Sequence, residues 1–116
     1  MPILTLHCEF SFAASHFLTK YHGKCEHLHG HNYRLVVSVT DELQDDGMVI
    51  DFKEVKRIVG TRVLEQLDHT HLNDIIDNPS AEHLCIWIWD RLKDALPLTK
   101  ITVYETDTYA AEYTGE

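Results

Sequence analysis

The chain has 116 residues, enough for one domain of 1–116 with a modest core. It carries 10 basic and 19 acidic residues, a formal net charge of -9, and it has no run of Lys or Arg that could follow a phosphate backbone. We therefore expect no nucleic-acid partner. The first residues lack both a positive flank and a long apolar segment, so we also expect neither a signal peptide nor a transmembrane helix.

The three cysteines are an odd number without the spacing of a disulfide framework, which is typical of a protein in a reducing cytoplasm. Cys8 and Cys85 lie among apolar neighbours, and we expect them to fill space in the core. Cys25 stands between Lys24 and Glu26 in a polar stretch. A nearby metal or cation would favour its thiolate, which makes it a candidate reactive group. The alternative is a loop cysteine without a function.

Alternating apolar side chains predict a strand over residues 3–15 and a second strand over residues 31–40. In the first strand, one face is apolar at every second residue and ends on His16, so we expect this imidazole to point towards the interior. In the second, the odd positions are apolar and the even ones mostly polar, as in a half-buried antiparallel strand. A polar loop from Leu18 to Leu28 joins the two strands.

Histidine is concentrated in this region, since five of the nine lie between His16 and His31. If the chain is extended from residue 29 onwards, His29 and His31 share one face with Gly30 between them. A catalytic zinc typically takes about three protein ligands and leaves one position open. With His16 as the third ligand, these residues form a candidate zinc site. The alternative for each alone is a hydrogen-bonded core histidine; neither a His-Glu-x-x-His motif nor a Cys-x-x-Cys pair is present.

Two helices are predicted further along the chain. Asp51 begins the first, which runs to about Gln66 and has an apolar stripe of Phe52, Val55, Val59 and Val63. Residues 67–74 are too polar and turn-rich for a strand. The second helix begins at residues 78–80, ends before Pro97 and has a stripe of Ala81, Leu84, Cys85, Ile88 and Leu92. Trp87 and Trp89 cannot both lie on this stripe, so one is a candidate for a subunit contact.

Residues 100–107 and 109–114 are predicted strands, with Asp107 and Thr108 as a tight link. Glu105 has the same parity as Ile101 and Val103, which places a carboxylate at the end of a buried face, where it needs a partner. The alternative is an edge glutamate in water. The element order predicts an α+β fold, with two helices covering one face of a four-stranded antiparallel sheet.

The neighbours Asp68 and His69 form a second candidate group. A carboxylate beside an imidazole can fix its tautomer and raise its basicity. The alternative is that Asp68 caps a turn. Together with a zinc site and a loop thiol, the pair indicates acid–base chemistry on a small substrate.

Six short motifs are spread in order over almost the whole chain: Phe10-Ser11-Phe12-Ala13-Ala14-Ser15-His16, Cys25-x-x-x-His29-Gly30-His31-Asn32-Tyr33, Met48-Val49-Ile50-Asp51-Phe52, Leu67-Asp68-His69-x-x-Leu72-Asn73, Asn78-Pro79-Ser80-Ala81-Glu82 and Tyr104-Glu105-Thr106. Together they resemble the 6-pyruvoyltetrahydropterin synthase superfamily. The three residues between Cys25 and His29 are similar to the 6-carboxytetrahydropterin synthase branch of the queuosine pathway, because the pyruvoyl-forming branch usually has a longer gap.

The resemblance implies a tunnelling fold, in which trimers close a barrel and two trimers stack into a homohexamer with active sites between subunits. It implies a zinc-dependent lyase that converts 7,8-dihydroneopterin triphosphate to 6-carboxytetrahydropterin with loss of acetaldehyde and triphosphate. The implied zinc ligands are His16, His29 and His31. The alternatives are a pyruvoyl-type or aldolase-type pterin enzyme, or a non-catalytic pterin-binding or metal-binding module.

The resemblance also implies roles for five other residues. Cys25 is the expected proton acceptor, with Asp68 and His69 of a neighbouring subunit as its relay. Glu105 is expected to anchor the pterin ring, and Thr106 to assist it.

Two features lie outside the family motifs. His27 stands between the thiol and the ligand pair, where it could compete for the metal or contact the triphosphate, although we expect the loop to turn it away. Because the net charge is -9, Lys20, Lys24 or Arg34 would have to compensate the charge of the triphosphate.

Overall fold

The computed structural model describes residues 1–22 and 26–116. Its elements are β1 (Ile3–His16), β2 (His29–Glu42), α1 (Phe52–Val59), a π-helical segment (Gly60–Leu64), α2 (Glu65–Leu67), β3 (Thr70–His71), a 3-10 turn (Leu72–Asp74), α3 (Ala81–Leu92), β4 (Leu98–Tyr104) and β5 (Ala110–Tyr113). The predicted α+β class is confirmed. No helix in the two described ranges is long and apolar enough to span a membrane.

The sheet has five strands in the order β3-β1-β2-β4-β5. The pairs β1–β2, β2–β4 and β4–β5 are antiparallel, whereas β3 runs parallel to β1. The prediction of a four-stranded, purely antiparallel sheet is therefore wrong, as is the prediction that residues 67–74 contain no strand. β3 pairs with Ala14 and Ser15 of β1, and the N–H of His69, just before β3, bonds to Ala13 O at 2.6 Å. Two polar residues give no alternating pattern by which such a strand could be recognised.

The two helical stretches pack on one face of the sheet, against the apolar odd-numbered residues of β2. Four fully buried side chains of the first stretch are spaced four residues apart: Val55, Val59, Val63 and Leu67. In an α-helix such a row drifts by about 40° per step. The π-helical segment winds less per residue and offsets this drift. Phe52, predicted to share the stripe, is 59% exposed, because a row spaced by four extends back to Asp51, the N-cap.

The predicted link between the last two strands is also corrected. β4 ends at Tyr104 and β5 begins at Ala110, so residues 105–109 form a five-residue loop. The loop is closed by Glu105 N–H bonding to Tyr109 O at 3.1 Å. Inside the loop, the Thr106 hydroxyl accepts backbone N–H groups, in place of the backbone hydrogen bonds between β4 and β5 that a longer β4 would have made.

The C-terminal residues pack against α3. The Trp89 ring lies edge-on to Tyr113, with ring centroids 5.5 Å apart. Gly115 has a φ of +90°, and a Cβ at this position would lie 2.5 Å from Cζ2 of Trp89, so a larger residue does not fit there. Trp87 is covered on one side by the Arg91 guanidinium, 4.4 Å from the ring centroid. Both tryptophans are half-buried, and neither lies on the buried stripe of α3.

Two of the three cysteines lie in the described residues, and both have the predicted packing role. Cys85 is buried in the main core, and Cys8 is half-buried against it. Burial raises the pKa of both thiols, that of Cys85 to about 11, so neither is a ready nucleophile. Cys25, the candidate reactive thiol, lies outside the described residues.

Candidate metal centre

The hairpin of β1 and β2 brings three imidazoles to one end of the sheet. His16 is the last residue of β1 and lies opposite His29, the first residue of β2. His31 follows two residues later on the same face. The ring centroids are 4.6 Å apart for His16 and His29, 5.2 Å for His16 and His31, and 4.7 Å for His29 and His31. The three histidines singled out from the sequence therefore lie together.

Backbone carbonyls fix the tautomers of two of these rings. His16 Nδ1 lies 2.7 Å from Pro79 O, and His29 Nδ1 lies 2.8 Å from His27 O. A carbonyl can only accept, so both Nδ1 atoms carry hydrogen, and in the neutral form of each ring the lone pair is on Nε2. These two Nε2 atoms are 3.1 Å apart. Lone pairs at this distance repel unless a proton or a metal cation lies between them.

The third imidazole has a buried Nε2 atom without a hydrogen bond in the described part of the chain, although its side chain is 19% exposed. His31 Nε2 has no hydrogen-bond partner among the described residues, an arrangement that is rare for a buried polar atom. Burial is the main cause that lowers the pKa of His31, and the nearby Glu105 carboxylate opposes it in part. A lowered pKa keeps this imidazole neutral, with its lone pair free for a cation.

A carboxylate completes the cluster. Glu105 Oε1 lies 3.1 Å from His31 Nε2 and 3.9 Å from His16 Nε2, and its side chain is partly exposed. One donor atom from each of the four residues lies within 4.8 Å of the others, so the group can hold a metal ion. Nitrogen donors with one carboxylate suit a divalent transition metal such as zinc. Metal-bound histidines are usually held by a hydrogen bond from the ring nitrogen that does not bind the metal, as His16 and His29 are here.

The position of Glu105 allows two kinds of site. Three imidazoles alone leave a fourth position open, as in catalytic zinc sites. With Glu105 as a fourth ligand the site is closed, as in structural ones. Parity correctly placed this side chain at the end of the buried face. Its role as a pterin anchor was implied by the family resemblance, and neither argument indicated how near it lies to the imidazoles.

Asp68 and His69 form a pair at the edge of β1. Asp68 Oδ1 accepts the N–H of Ala13 at 2.9 Å and lies 3.0 Å from His69 Nδ1. The Ala13 N–H is the main cause that holds the pKa of Asp68 below its ordinary value, with His69 adding to it. His69 has a φ of +59°, uncommon for a residue other than glycine, and its side chain is 83% exposed. An ionised Asp68 therefore fixes the tautomer of an imidazole whose Nε2 faces outwards.

This pair does not touch the imidazole cluster of its own subunit. Across the two described ranges, no hydrogen bond or ion pair joins Asp68 or His69 to His16, His29 or His31. A shallow depression of about 470 Å³ is nevertheless lined by both His31 and His69. The structure thus places the two groups around one open surface without contact between them.

Two further candidates, Thr106 and His27, lie within the described residues. The Thr106 hydroxyl accepts the N–H groups of Thr108 (3.4 Å) and Tyr109 (3.1 Å), so it shapes the loop that carries Glu105. The exposed His27 contributes its carbonyl to the site, and its ring is outside the four-residue cluster.

A second pocket, of about 200 Å³, adjoins the cluster and is lined by Glu82, Glu105 and Tyr109 among others. Glu82 was not predicted as a pocket residue, because a glutamate in the first turn of a helix is common for its effect on helix stability. The carbonyl of Pro79 was missed as well, since a backbone group has no residue type by which to recognise it.

Comparison with known proteins agrees with the resemblance drawn from the six motifs. Residues 5–116 match the family model described as 6-pyruvoyl tetrahydropterin synthase. A Synechocystis protein named 6-carboxy-5,6,7,8-tetrahydropterin synthase is 41% identical over 114 residues, covering 90% of this chain and 88% of that protein. The Homo sapiens 6-pyruvoyl tetrahydrobiopterin synthase is 36% identical over 129 residues, covering 91% and 88%. The structure of the Caenorhabditis elegans 6-pyruvoyl tetrahydropterin synthase superimposes with a TM-score of 0.87 at 26% identity, covering 100% of this chain and 98% of that one. The chain therefore belongs to the 6-pyruvoyl tetrahydropterin synthase family of pterin-metabolising enzymes.

Proposed function

We propose that this protein is a zinc-dependent lyase that converts 7,8-dihydroneopterin triphosphate and one water to 6-carboxy-5,6,7,8-tetrahydropterin, acetaldehyde and triphosphate, as a step of queuosine (7-deazaguanine) biosynthesis. The observation that carries the proposal is the set of three imidazole nitrogens that converge beside one carboxylate. Such a set can hold a divalent cation, and family membership supplies a pterin as the substrate class.

His16, His29 and His31 would hold the zinc. When bound, the metal supplies a Lewis acid that polarises the side-chain hydroxyls of the substrate. The protein's own part is to align the three rings, and the carbonyls of Pro79 and His27 orient two of them with Nε2 towards the cluster.

Proton transfer is assigned to Cys25, with Asp68 and His69 as its relay. Asp68 is ionised at neutral pH, and it holds the hydrogen of His69 on Nδ1 so that Nε2 can accept or release a proton. An imidazole that is 83% exposed at a sheet edge cannot exclude water by itself. We infer that the pair serves the thiol of a neighbouring subunit in a homohexamer, where a second chain covers the open surface.

Glu105 is proposed to anchor the pterin. The pocket beside the cluster is lined by Glu105 and Glu82, and carboxylates are pure acceptors for the ring N–H and amino groups of a pterin. The substrate side chain would then extend from this pocket towards the three imidazoles. In this arrangement Glu105 leaves the fourth metal position to the substrate.

The choice between branches of the family rests on the three-residue gap between Cys25 and His29. The Synechocystis relative, which carries the 6-carboxy name, supports this choice. A 6-pyruvoyltetrahydropterin synthase activity is the second candidate, favoured by the Homo sapiens relative at 36% identity and by the Caenorhabditis elegans structure.

Product analysis separates the two candidates. The zinc-loaded protein is incubated with 7,8-dihydroneopterin triphosphate, and the products are identified by mass. We expect acetaldehyde and a pterin with a one-carbon carboxyl substituent. A product that retains the three-carbon side chain would establish the pyruvoyl-type reaction instead.

A pair of cysteine variants tests whether the protein is an enzyme or a binding module. We expect Cys25→Ala to retain zinc and to lose turnover by a factor of at least about 100, since general acid–base groups contribute about that much. Cys8→Ala is the matched control, because burial raises the pKa of this half-buried thiol and it should not transfer protons. A pure binding module would have no turnover to lose, and its zinc content would be the same in both variants.

A further inference from the structure

The chain leaves the sheet directly after His16, and two asparagine side chains then take the place of a neighbouring strand. Phe17 donates its N–H to Asn73 Oδ1 at 3.0 Å, and its carbonyl accepts from Asn73 Nδ2 at 2.9 Å. The N–H of Thr19 is bonded to Asn78 Oδ1 at 2.8 Å. The two carboxamides thus hold the backbone at the first and third residues after a proposed metal ligand.

Asn78 also shapes the turn that fixes the ring of this ligand. Its φ of +47° lies in the left-handed region, which asparagine tolerates better than most residues. Its carbonyl accepts from Ser80 N at 2.8 Å and from His83 Nδ1 at 2.6 Å. The next carbonyl, that of Pro79, accepts from His16 Nδ1 at 2.7 Å and so directs His16 Nε2 at the cluster.

We propose that Asn73 and Asn78 are positioning residues for the metal centre: they fix the backbone after His16 and the turn that orients its ring. The inference rests on the metal site of the proposed function. It does not depend on which pterin reaction the site performs. Removal of either clamp leaves His16 in place but lets its Nε2 move relative to the other two imidazoles, which weakens metal binding.

The two asparagines use different atoms, and this difference allows a matched test. Asn73 uses an acceptor and a donor, Oδ1 and Nδ2, whereas the bond of Asn78 to Thr19 uses Oδ1 alone. Backbone partners fix these assignments, because an N–H can only donate and a carbonyl can only accept. Changing Asn73 to Asp puts an oxygen opposite the Phe17 carbonyl, but changing Asn78 to Asp retains the acceptor. Both variants add one negative charge, so they are matched in net charge.

The experiment measures the zinc affinity of the full chain by competition with a chromophoric chelator, for N73D, N78D and N78G. N78G removes the acceptor while glycine keeps the left-handed turn accessible. We expect N73D and N78G to bind zinc about tenfold more weakly than the unaltered protein, the lower end of the range for groups that orient metal ligands. N78D should stay within about threefold of the unaltered protein.

A second readout distinguishes positioning from a general effect on folding. Substitution of Co²⁺ gives visible absorption bands that depend on ligand geometry, and we expect these bands to change in N73D and N78G and to be retained in N78D. Equal zinc affinities of N73D and N78D, or an unaltered affinity of N78G, would overturn the proposal. If N73D fails to fold, the comparison of N78D with N78G decides it. No pterin is involved, so failure of the proposed reaction would leave this result readable.

Discussion

Replacing His29 by Ala should remove most of the stabilisation that zinc gives the fold. His29 is the ligand best suited to this test, because its side chain is 35% exposed whereas that of His16 is 1% exposed, so truncation of His29 leaves a smaller buried cavity. The lost ring contributes an Nε2 atom 3.1 Å from His16 Nε2. Residues that only orient ligands cost tenfold to a hundredfold in metal affinity when mutated, so we expect at least about a hundredfold for a direct ligand.

This loss of affinity can be read as a free energy of unfolding. With free zinc at about 100 times the dissociation constant of the unaltered protein, zinc should add about 2.7 kcal/mol to its stability. For H29A, a hundredfold weaker constant reduces this gain to about 0.4 kcal/mol. Without metal, H29A and the unaltered protein should have similar free energies of unfolding. The variant loses the packing of the His29 ring, but it also removes the repulsion between two facing Nε2 lone pairs. Urea unfolding with zinc and with a chelator measures both quantities.

His27→Ala is the matched control. This ring is an exposed imidazole two residues before His29, and the contact of His27 with His29 is made through its carbonyl, which the variant keeps. H27A should therefore retain the full gain from zinc. A gain of about 2.7 kcal/mol in H29A, or its loss in H27A, would refute the ligand assignment.

Three further predictions concern other parts of the molecule. Glu105→Gln should weaken pterin binding, measured by titration, and leave zinc affinity within about threefold; a large loss of zinc affinity would show that Glu105 is a metal ligand. Asp68→Asn should lower turnover without loss of zinc, because an amide cannot hold His69 as a carboxylate does. The fold lowers the pKa of Asp68, so its ionised form stabilises the protein at neutral pH. This stabilisation is lost as the pH falls below the ordinary pKa of 3.8 and through the folded-state pKa. The loss of stability in acid should therefore be smaller in the variant. Gly115→Ala should lower the free energy of unfolding by about 0.5 to 1 kcal/mol more than Gly47→Ala. Both glycines have a positive φ, but only a Cβ at 115 would meet an indole ring, so equal losses would contradict this packing.

The imidazole cluster could be predicted from the sequence because two simple periodicities determine it. Residues two apart on a strand share a face, which relates His29 to His31. The apolar alternation of β1 ends on His16, and antiparallel pairing of β1 with β2 then places His16 opposite His29. Strand parity also placed Glu105 at the end of a buried face. Parity gives a face but no distance, so the approach of Glu105 Oε1 to 3.1 Å from His31 could not be inferred.

The edge of the sheet could not be predicted, because its hydrogen bonds depend on backbone groups. β3 is formed by two residues without a pattern, beside a His69 whose positive φ has no sequence signal. The clamps by Asn73 and Asn78 were equally hidden, since an asparagine near a turn is ordinarily explained by the turn itself. Phe52 shows the limit of the helical pattern, because its spacing of three from Val55 fits an apolar stripe although the buried row is spaced by four.

The most direct test of the account is a zinc titration of the metal-stripped protein, with acetaldehyde release from 7,8-dihydroneopterin triphosphate as the readout. We expect no release without metal, a linear rise as zinc is added, and a break at about one zinc per chain, the stoichiometry of one cluster of three imidazoles. Full acetaldehyde release from protein shown to be free of metal would contradict the account.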